Sequence, residues 1–178
     1  MCCLFLLQII ILLAYFANMK LDPVDKRILA ALQTDGRITN QALAEIVGLS
    51  PSPCLRRVRL LEEAGAISGY TAQIDRKICG LNVTAFVRIR LKEHSRAAVD
   101  TFERHIATID EIVECHLTSG EEDYLLQVVV ASQDAYEHFM RVRLHSVPGI
   151  GAIETNFAFG VVKPLSPAPM VLSEETWR

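Results

Sequence analysis

The sequence predicts an α+β protein built as a small helical module followed by a sheet domain with the element order β-α-β-β-α-β. Three observations lead there. Apolar residues recur at three- and four-residue spacing from Val24 to Leu61, the period of an amphipathic helix. From Thr84 onward strict two-residue alternation takes over, the period of a half-buried strand. The 178 residues are 51% hydrophobic and 22% charged, which suits one or two small domains with real cores.

The first helix is announced by Asp22-Pro23-Val24-Asp25: an N-cap, a proline at the first helical position and an acid in the first turn. Val24, Ile28 and Leu32 mark its face, and it runs to about Gln33. Asp35-Gly36-Arg37 breaks it. Thr39 caps a second short helix whose Ala42, Leu43, Ile46 and Val47 are expected to pack inward, and Gly48 ends that helix. Ala44 is small enough to let the helices approach, with Leu49 at the corner.

A third helix follows in residues 48–65. Ser50 is an N-cap whose hydroxyl is expected to accept an orphan N–H, and Pro51 sits where a missing donor costs nothing. Leu55, Val58 and Leu61 form the predicted apolar stripe, leaving Ser52, Arg56 and Arg59 on another face and Arg57 at its flank. Arginine pairs bidentately with phosphate or guanine, and a helix N-terminus attracts phosphate. Two short helices joined by a glycine turn, the second basic, make a helix-turn-helix, which predicts binding to double-stranded DNA. The predicted contacts are Thr39, Ser50, Ser52, Pro53, Arg56, Arg57 and Arg59. Residues 65–75 lose helical periodicity and read as a strand-like linker or wing.

Charge limits this reading. The net charge is −3, and between Met19 and Asp75 the bases Lys20, Lys26, Arg27, Arg37, Arg56, Arg57 and Arg59 are matched by Asp22, Asp25, Asp35, Glu45, Glu62, Glu63 and Asp75. DNA affinity must come from a local patch multiplied by oligomerisation.

Cys2, Cys3, Cys54, Cys79 and Cys115 show no CxxC or His-paired spacing, so reduced cytosolic thiols are expected, with neither a disulfide frame nor a metal site. His94, His105, His116, His138 and His145 lack HExxH spacing, and no Walker loop, GxSxG or paired-carboxylate motif occurs, so no catalytic residues are assigned and the chain reads as a non-enzyme.

In the second part, residues 84–92 alternate, with Ala85, Val87, Ile89 and Leu91 on one side and Arg88, Arg90 and Lys92 on the other. Ala98, Val99, Phe102, Ile106 and Ile109 place a helix over 95–109. Strands are expected over 112–118 and 124–131 around the turn Ser119-Gly120-Glu121-Glu122-Asp123. A second helix over 133–146 is stopped by Pro148-Gly149 before a last strand over 152–162. This is the split order of the ferredoxin-like fold, whose helices cover one face of the sheet only. Residues 124–131 are apolar on both alternating sets, so the open face should be covered by a second copy. A symmetric dimer would present two recognition helices to a pseudo-palindromic site.

The stretch DGRITNQALAEIVGLSPSPCLRRVRLLEEAGAISGYTAQID and the later CHLTSGEEDYLL resemble the Lrp/AsnC (feast/famine) family of transcription regulators. The resemblance covers residues 19–163. It implies a winged helix-turn-helix (19–66), a strand or linker (67–82), and a ferredoxin-like effector-binding and oligomerisation domain (83–163) that forms homodimers and often octamers. Leu60 departs from it, standing where many relatives carry a base. The effector it implies is an amino acid such as leucine, with no other cofactor. An amino acid brings an ammonium that Asp123 could pair and a carboxylate that backbone N–H groups at Ser119 and Gly120 could receive; the family's last strand adds positions matching Thr155 and Asn156. A cytoplasmic, nucleoid-associated location follows. The runner-up is an enzyme, since sirohaem decarboxylases resemble this architecture; they would need His and basic groups converging on a tetrapyrrole cleft.

Residues 1–18 are nearly all apolar and uncharged, just long enough to consider as a membrane span, but without the basic flank of a signal peptide. The readings are an anchor giving a membrane-tethered regulator, a signal peptide, or translation begun upstream of a natural start at Met19. The last is expected, and membrane attachment is not. Residues 164–178, with three prolines, read as a flexible tail. Protein made from Met19 should therefore be soluble and fully active, and an intact mass of native material that includes residues 1–18 would overturn this.

Overall fold

The fold begins at a capping box. Asp22 Oδ1 accepts the N–H groups of Val24 and Asp25, each at 2.8 Å, and Asp25 Oδ2 accepts the Asp22 N–H at 3.1 Å. The computed structural model describes residues 21–169; the apolar run 1–18 lies outside them. No helix among the described residues is long and apolar enough to cross a membrane.

Three helices follow: α1 (Pro23–Thr34), α2 (Asn40–Val47) and α3 (Pro51–Glu63). Thr39 caps α2 by accepting the Ala42 N–H, and Gly48 ends it at φ 73°. A Cβ at Gly48 would meet nothing within 4 Å, so glycine is needed there for its backbone conformation and not for space. Ile28, Leu29, Leu43, Ala44, Val47, Cys54, Val58 and Leu61 close one core.

Three of the expected inward residues fall outside it, half-buried Ala42 among them. Ile46 is 59% exposed, and Leu55 is 39% exposed while Cys54 is fully buried. At about 100° per residue, a strict three-residue repeat drifts around the helix, whereas Cys54, Val58 and Leu61 stay within roughly 60° of one another. The four-three spacing holds the face, and Cys54 takes the place assigned to Leu55.

Residues 67–82 carry no strand; the segment is irregular and ends in a turn over 76–80. Asp75 organises that turn by accepting the N–H groups of Lys77 and Ile78. The chain divides into two compact units: one holds the residues up to Ala72 together with those from Lys163, the other spans Gln73–Val162. The described part of the tail is not free of its unit. Gln33 on α1 accepts the Ala168 N–H at 2.7 Å and donates to the Ala168 carbonyl at 3.3 Å.

In the second unit β1 (Val83–Leu91), α4 (Arg96–Ile106), β2 (Ile112–Leu117), β3 (Tyr124–Val130), α5 (Gln133–His138) and β4 (Ile150–Phe157) appear in the predicted order. The sheet order is β2-β3-β1-β4 with every pair antiparallel. Ser95 and Ser132 cap α4 and α5 through the N–H groups of Ala98 and Ala135. Alternate residues Ala85, Val87, Ile89 and Leu91 of β1 and Tyr124, Leu126, Val128 and Val130 of β3 pack with Phe102, Ile106, Phe139 and Leu144.

The second helix is less regular than its periodicity suggests. After His138 it widens into a π turn at Phe139–Arg143 and then tightens to 3-10 at Leu144–Ser146. The last strand starts earlier and stops at Phe157, not at residue 162. Its pairing slips at Arg90/Leu91, where a Cβ on Gly151 would stand 3.2 Å from the Arg90 carbonyl oxygen. Glycine lets the two backbones approach at that bulge.

Gly48→Ala should destabilise the first unit by about 1 kcal/mol, and Gly48→Asn by less, because Asn tolerates the left-handed region. Chemical denaturation followed by far-UV circular dichroism measures both; equal stability of all three proteins would contradict the conformational argument.

Candidate nucleic-acid interface and ligand site

Helix α3 starts with an unusual shortage of donors. Pro51 and Pro53 occupy its first and third positions, so among the first three residues only Ser52 has a backbone N–H. A capping hydroxyl accepts from the second or third helical N–H. Ser50 occupies the cap with extended backbone, φ −77° and ψ 156°, yet makes no side-chain cap hydrogen bond, contrary to the expectation from its position. Proline at the third position removes one of the two possible partners, leaving only the Ser52 N–H. What ties this end down is Asn40, whose Nδ2 donates to the Pro51 carbonyl at 2.8 Å.

Thr39, Ser50, Ser52, Pro53, Arg56 and Arg59 are all exposed. Thr39 Oγ1 accepts the Ala42 N–H at 3.2 Å, which leaves its proton available to donate. Arg56 and Arg59 form no ion pair among the described residues, so α3 turns two uncompensated guanidinium groups to the surface while Cys54, Val58 and Leu61 face the core. Arg57 differs. One of its nitrogens lies 2.7 Å from Asp22 Oδ2 and 2.7 Å from Asp25 Oδ1, with its side chain 32% exposed. These carboxylates raise the pKa of Arg57, Asp25 more than Asp22. Asp22 is held below the ordinary 3.8 chiefly by the Asp25 N–H it accepts, with Arg57 adding to this against desolvation.

In the sheet unit the predicted ligand residues split into two places. Ser119, Gly120 and Asp123 lie in the β2–β3 turn, with Gly120 at φ 127°. Asp123 sits at the β1 end: its N–H donates to the Ile89 carbonyl, its Oδ2 accepts the Leu91 N–H at 2.7 Å, and its Oδ1 lies 2.8 Å from His94 Nε2. The Leu91 N–H and then His94 hold its pKa below 3.8, against desolvation. Neither partner was visible in the sequence, because they come from the end of β1 and the loop just after it, some thirty positions away in the chain.

Thr155 and Asn156 are neighbours on β4 and therefore point to opposite faces. Thr155 Oγ1 lies 2.6 Å from Tyr136 Oη on the helix side, beside the edge-on contact of Tyr136 with Phe157. Asn156 stands opposite Phe86 on the open side and donates to Glu154 Oε1 at 3.3 Å. The strand does not bring this pair to one pocket within a single chain. A groove of about 510 Å³ opens at the start of β4, lined by Lys92, His145 and residues 146–153, and by none of the five predicted residues. Among the described residues no group of three His, Cys, Asp or Glu could hold a metal ion.

The family models agree with this division of the chain. Residues 21–68 match a winged helix-turn-helix DNA-binding model and residues 84–167 match the Lrp/AsnC ligand binding domain. The leucine-responsive regulatory protein of Salmonella typhimurium is 43% identical over 146 residues, covering 80% of this chain and 87% of that protein. The chain belongs to the Lrp/AsnC family. Its Escherichia coli K12 relative of the same name is 41% identical over 143 residues, with the same coverage. Among solved structures, a transcriptional regulator from Neisseria meningitidis in complex with L-methionine superposes with a TM-score of 0.79 at 35% identity, covering 84% of this chain and 97% of that one. The feast or famine regulatory protein from M. tuberculosis complexed with L-methionine gives 0.73 at 31%, covering 82% and 96%. This Lrp/AsnC protein is a DNA-binding transcription regulator with a ligand-binding domain, and not an enzyme; its relatives give the sirohaem-decarboxylase alternative no support.

The lowered pKa values fix the direction of one pH effect. Asp22 and Asp123 are both depressed on folding, so each stabilises the fold fully above the ordinary 3.8 and loses that contribution as pH falls through its folded value. The thermal midpoint should fall on acidification below about pH 4, and Asp123→Asn should make the fall shallower. Melting curves across that range check it; an unchanged acid slope in the variant would place the effect elsewhere.

Proposed function

We propose that this regulator binds double-stranded DNA as a homodimer, with α3 in the major groove, and that an amino acid held near Asp123 controls the binding. The observation that carries the DNA reading is the division of α3 into a buried Cys54, Val58, Leu61 face and an exposed Ser52, Arg56, Arg59 face. Thr39, Ser50 and Pro53 border that surface, and the two hydroxyls and the Ser52 N–H can donate to phosphate. Arg56 and Arg59 supply the charge.

Dimerisation through the open face of the sheet is favoured by Phe86, 37% exposed, and half-buried Leu125, both on the side opposite the helices. Around them stand the Arg88–Glu154 ion pair, Gln127 and Asn156, a polar rim about an apolar centre. Assembly beyond the dimer, to an octamer, would multiply the DNA contacts that a neutral helical module needs. The cell compartment in keeping with this is the cytoplasm, on the nucleoid.

For the effector, Asp123 offers the ammonium a carboxylate already oriented by the Leu91 N–H. An incoming ammonium would take the place of His94 at Oδ1, and the N–H groups of the turn at Ser119 and Gly120 would receive the carboxylate. Thr155 and Asn156, facing opposite ways, can join one site only if a second subunit contributes one of them. The methionine complexes of two relatives and the leucine-responsive name of others make leucine and methionine the first amino acids to try.

Arg56→Ala should weaken binding by about 1 to 3 kcal/mol if Arg56 reads a base, and Arg59→Ala should lower the slope of log affinity against log salt by about 1 if Arg59 holds a phosphate. Gel-shift titrations at several salt concentrations separate the two. A thermal-shift screen of the twenty amino acids should find a stabilising ligand whose effect disappears in Asp123→Ala. Undiminished stabilisation in that variant would move the pocket away from the turn.

A further inference from the structure

We propose that Arg57 is a positioning residue that locks the rotation of α3 to the N-terminal cap of α1, and that it does not contact DNA. The inference rests on α3 being the DNA-reading helix. Asp22 and Asp25 each divide their two oxygens in the same way. Asp22 Oδ1 and Asp25 Oδ2 serve the capping box, while Asp22 Oδ2 and Asp25 Oδ1 both receive the Arg57 guanidinium at 2.7 Å. Cap and clamp are one network spanning the first turn of α1 and the middle of α3. Breaking the clamp exposes two carboxylates whose remaining bonds also hold the helix start.

Charge argues against a phosphate contact at Arg57. One guanidinium between two carboxylates leaves a local surplus of negative charge, and reaching a phosphate would require giving up two charge-assisted hydrogen bonds. Arg56 and Arg59 carry no such obligation. Direction matters as well. The apolar core beneath α3 is non-directional and tolerates small rotations, whereas a guanidinium clamp sets one angle. A second arginine repeats the device for α2: Arg27 of α1 donates to the Val47 carbonyl at 3.3 Å, at the C-terminal end of that helix. Helix α1 thus holds both helices of the DNA-binding motif by directional bonds, although it offers DNA no predicted contact of its own.

The two roles give opposite signs for one substitution. If Arg57 met phosphate, Asp25→Asn would remove a nearby negative charge and leave DNA binding unchanged or tighter. As part of a clamp, Asp25→Asn should weaken binding, by about fivefold, as should Arg57→Ala. The double variant should be little weaker than Arg57→Ala alone, because that substitution already removes both arms of the clamp, whereas Asp25→Asn leaves the Asp22 arm. The probe is a mixed-sequence duplex a few helical turns long, titrated with the full chain at several salt concentrations, with Arg59→Ala as the reference for a charge facing DNA. The clamp predicts that Arg57→Ala keeps the wild-type salt slope; a slope reduced by about 1 together with tighter binding by Asp25→Asn overturns it. Should Arg57→Ala fail to fold, Asp25→Asn and Arg57→Lys carry the test, the latter weakening binding at constant charge. The same cycle read by thermal melts without DNA should show non-additive losses. Additive losses overturn the clamp even if the wild-type chain binds no duplex, an outcome that would instead remove the DNA reading of α3.

Discussion

The constraint on which the DNA-binding unit depends is that α3 must bury one face and present another, and so has a single acceptable rotation. Cys54, Val58 and Leu61 fill the seam against α1 and α2, with relative exposures of 0%, 9% and 1%. Side chains two positions on from Cys54 and one from Val58 then have to point outward, and those are Arg56 and Arg59. Burying an aliphatic side chain is worth roughly 1.5 to 3 kcal/mol. A turn of α3 about its own axis large enough to hide the arginines would expose much of that surface, so the orientation of the basic face is tied to the stability of the core. The apolar packing sets it coarsely, and directional bonds between helices can refine it.

The sheet unit answers a different demand. Strand β1 is central, paired with β3 on one side and β4 on the other, and its alternate residues carry the core. Its C-terminal end, where it leaves the sheet, is also where Asp123 takes hold, through the Leu91 N–H and His94. A carboxylate placed there closes the β2–β3 turn onto the strand end, so whatever competes for its oxygens acts on the geometry of the turn and of β1 together. That is a short physical route by which a bound cationic group could be felt in the sheet. Tyr124, next in sequence, anchors the opposite side: its hydroxyl donates to Glu103 on α4 at 2.9 Å, and burial together with Glu103 pushes its pKa to about 12.

Much of this was legible in the sequence because it is local. Capping by Asp22, Thr39, Ser95 and Ser132 depends on residues within three positions, and the buried alternation of β1 reads directly from residues 84–92. Two misreadings had local causes that the sequence did contain. Pro53 at the third position of α3 already removed one of the two N–H groups that Ser50 could have capped, and a four-three repeat already favoured Cys54 over Leu55. Other features were beyond its reach. The Arg57 pairs join positions 35 and 32 apart, and the Asp123 contacts join positions 32 and 29 apart. No periodicity encodes such meetings. Of the strand or linker expected over 67–82, the segment is the linker: residues suited to strands stay irregular when no neighbouring strand supplies a ladder, since strand propensity reports packing context more than backbone preference.

The net neutrality of the helical module acquires a physical meaning once the pairs are placed. Of its seven basic residues, Arg57 is consumed by Asp22 and Asp25, and Arg27 is turned toward the end of α2. The acids Glu62 and Glu63 close the C-terminal end of α3, and Tyr70 donates to Glu62 at 2.9 Å. Arg56 and Arg59 put two exposed guanidinium groups without an ion pair among the described residues on one stretch of one helix, in a module whose charges otherwise nearly cancel. A single such patch gives weak, strongly salt-dependent attachment. On the proposed reading, tight binding would come from several copies held at fixed spacing, with the sheet unit as the seam between them. An effector acting on that assembly could change DNA occupancy steeply without moving any residue of α3.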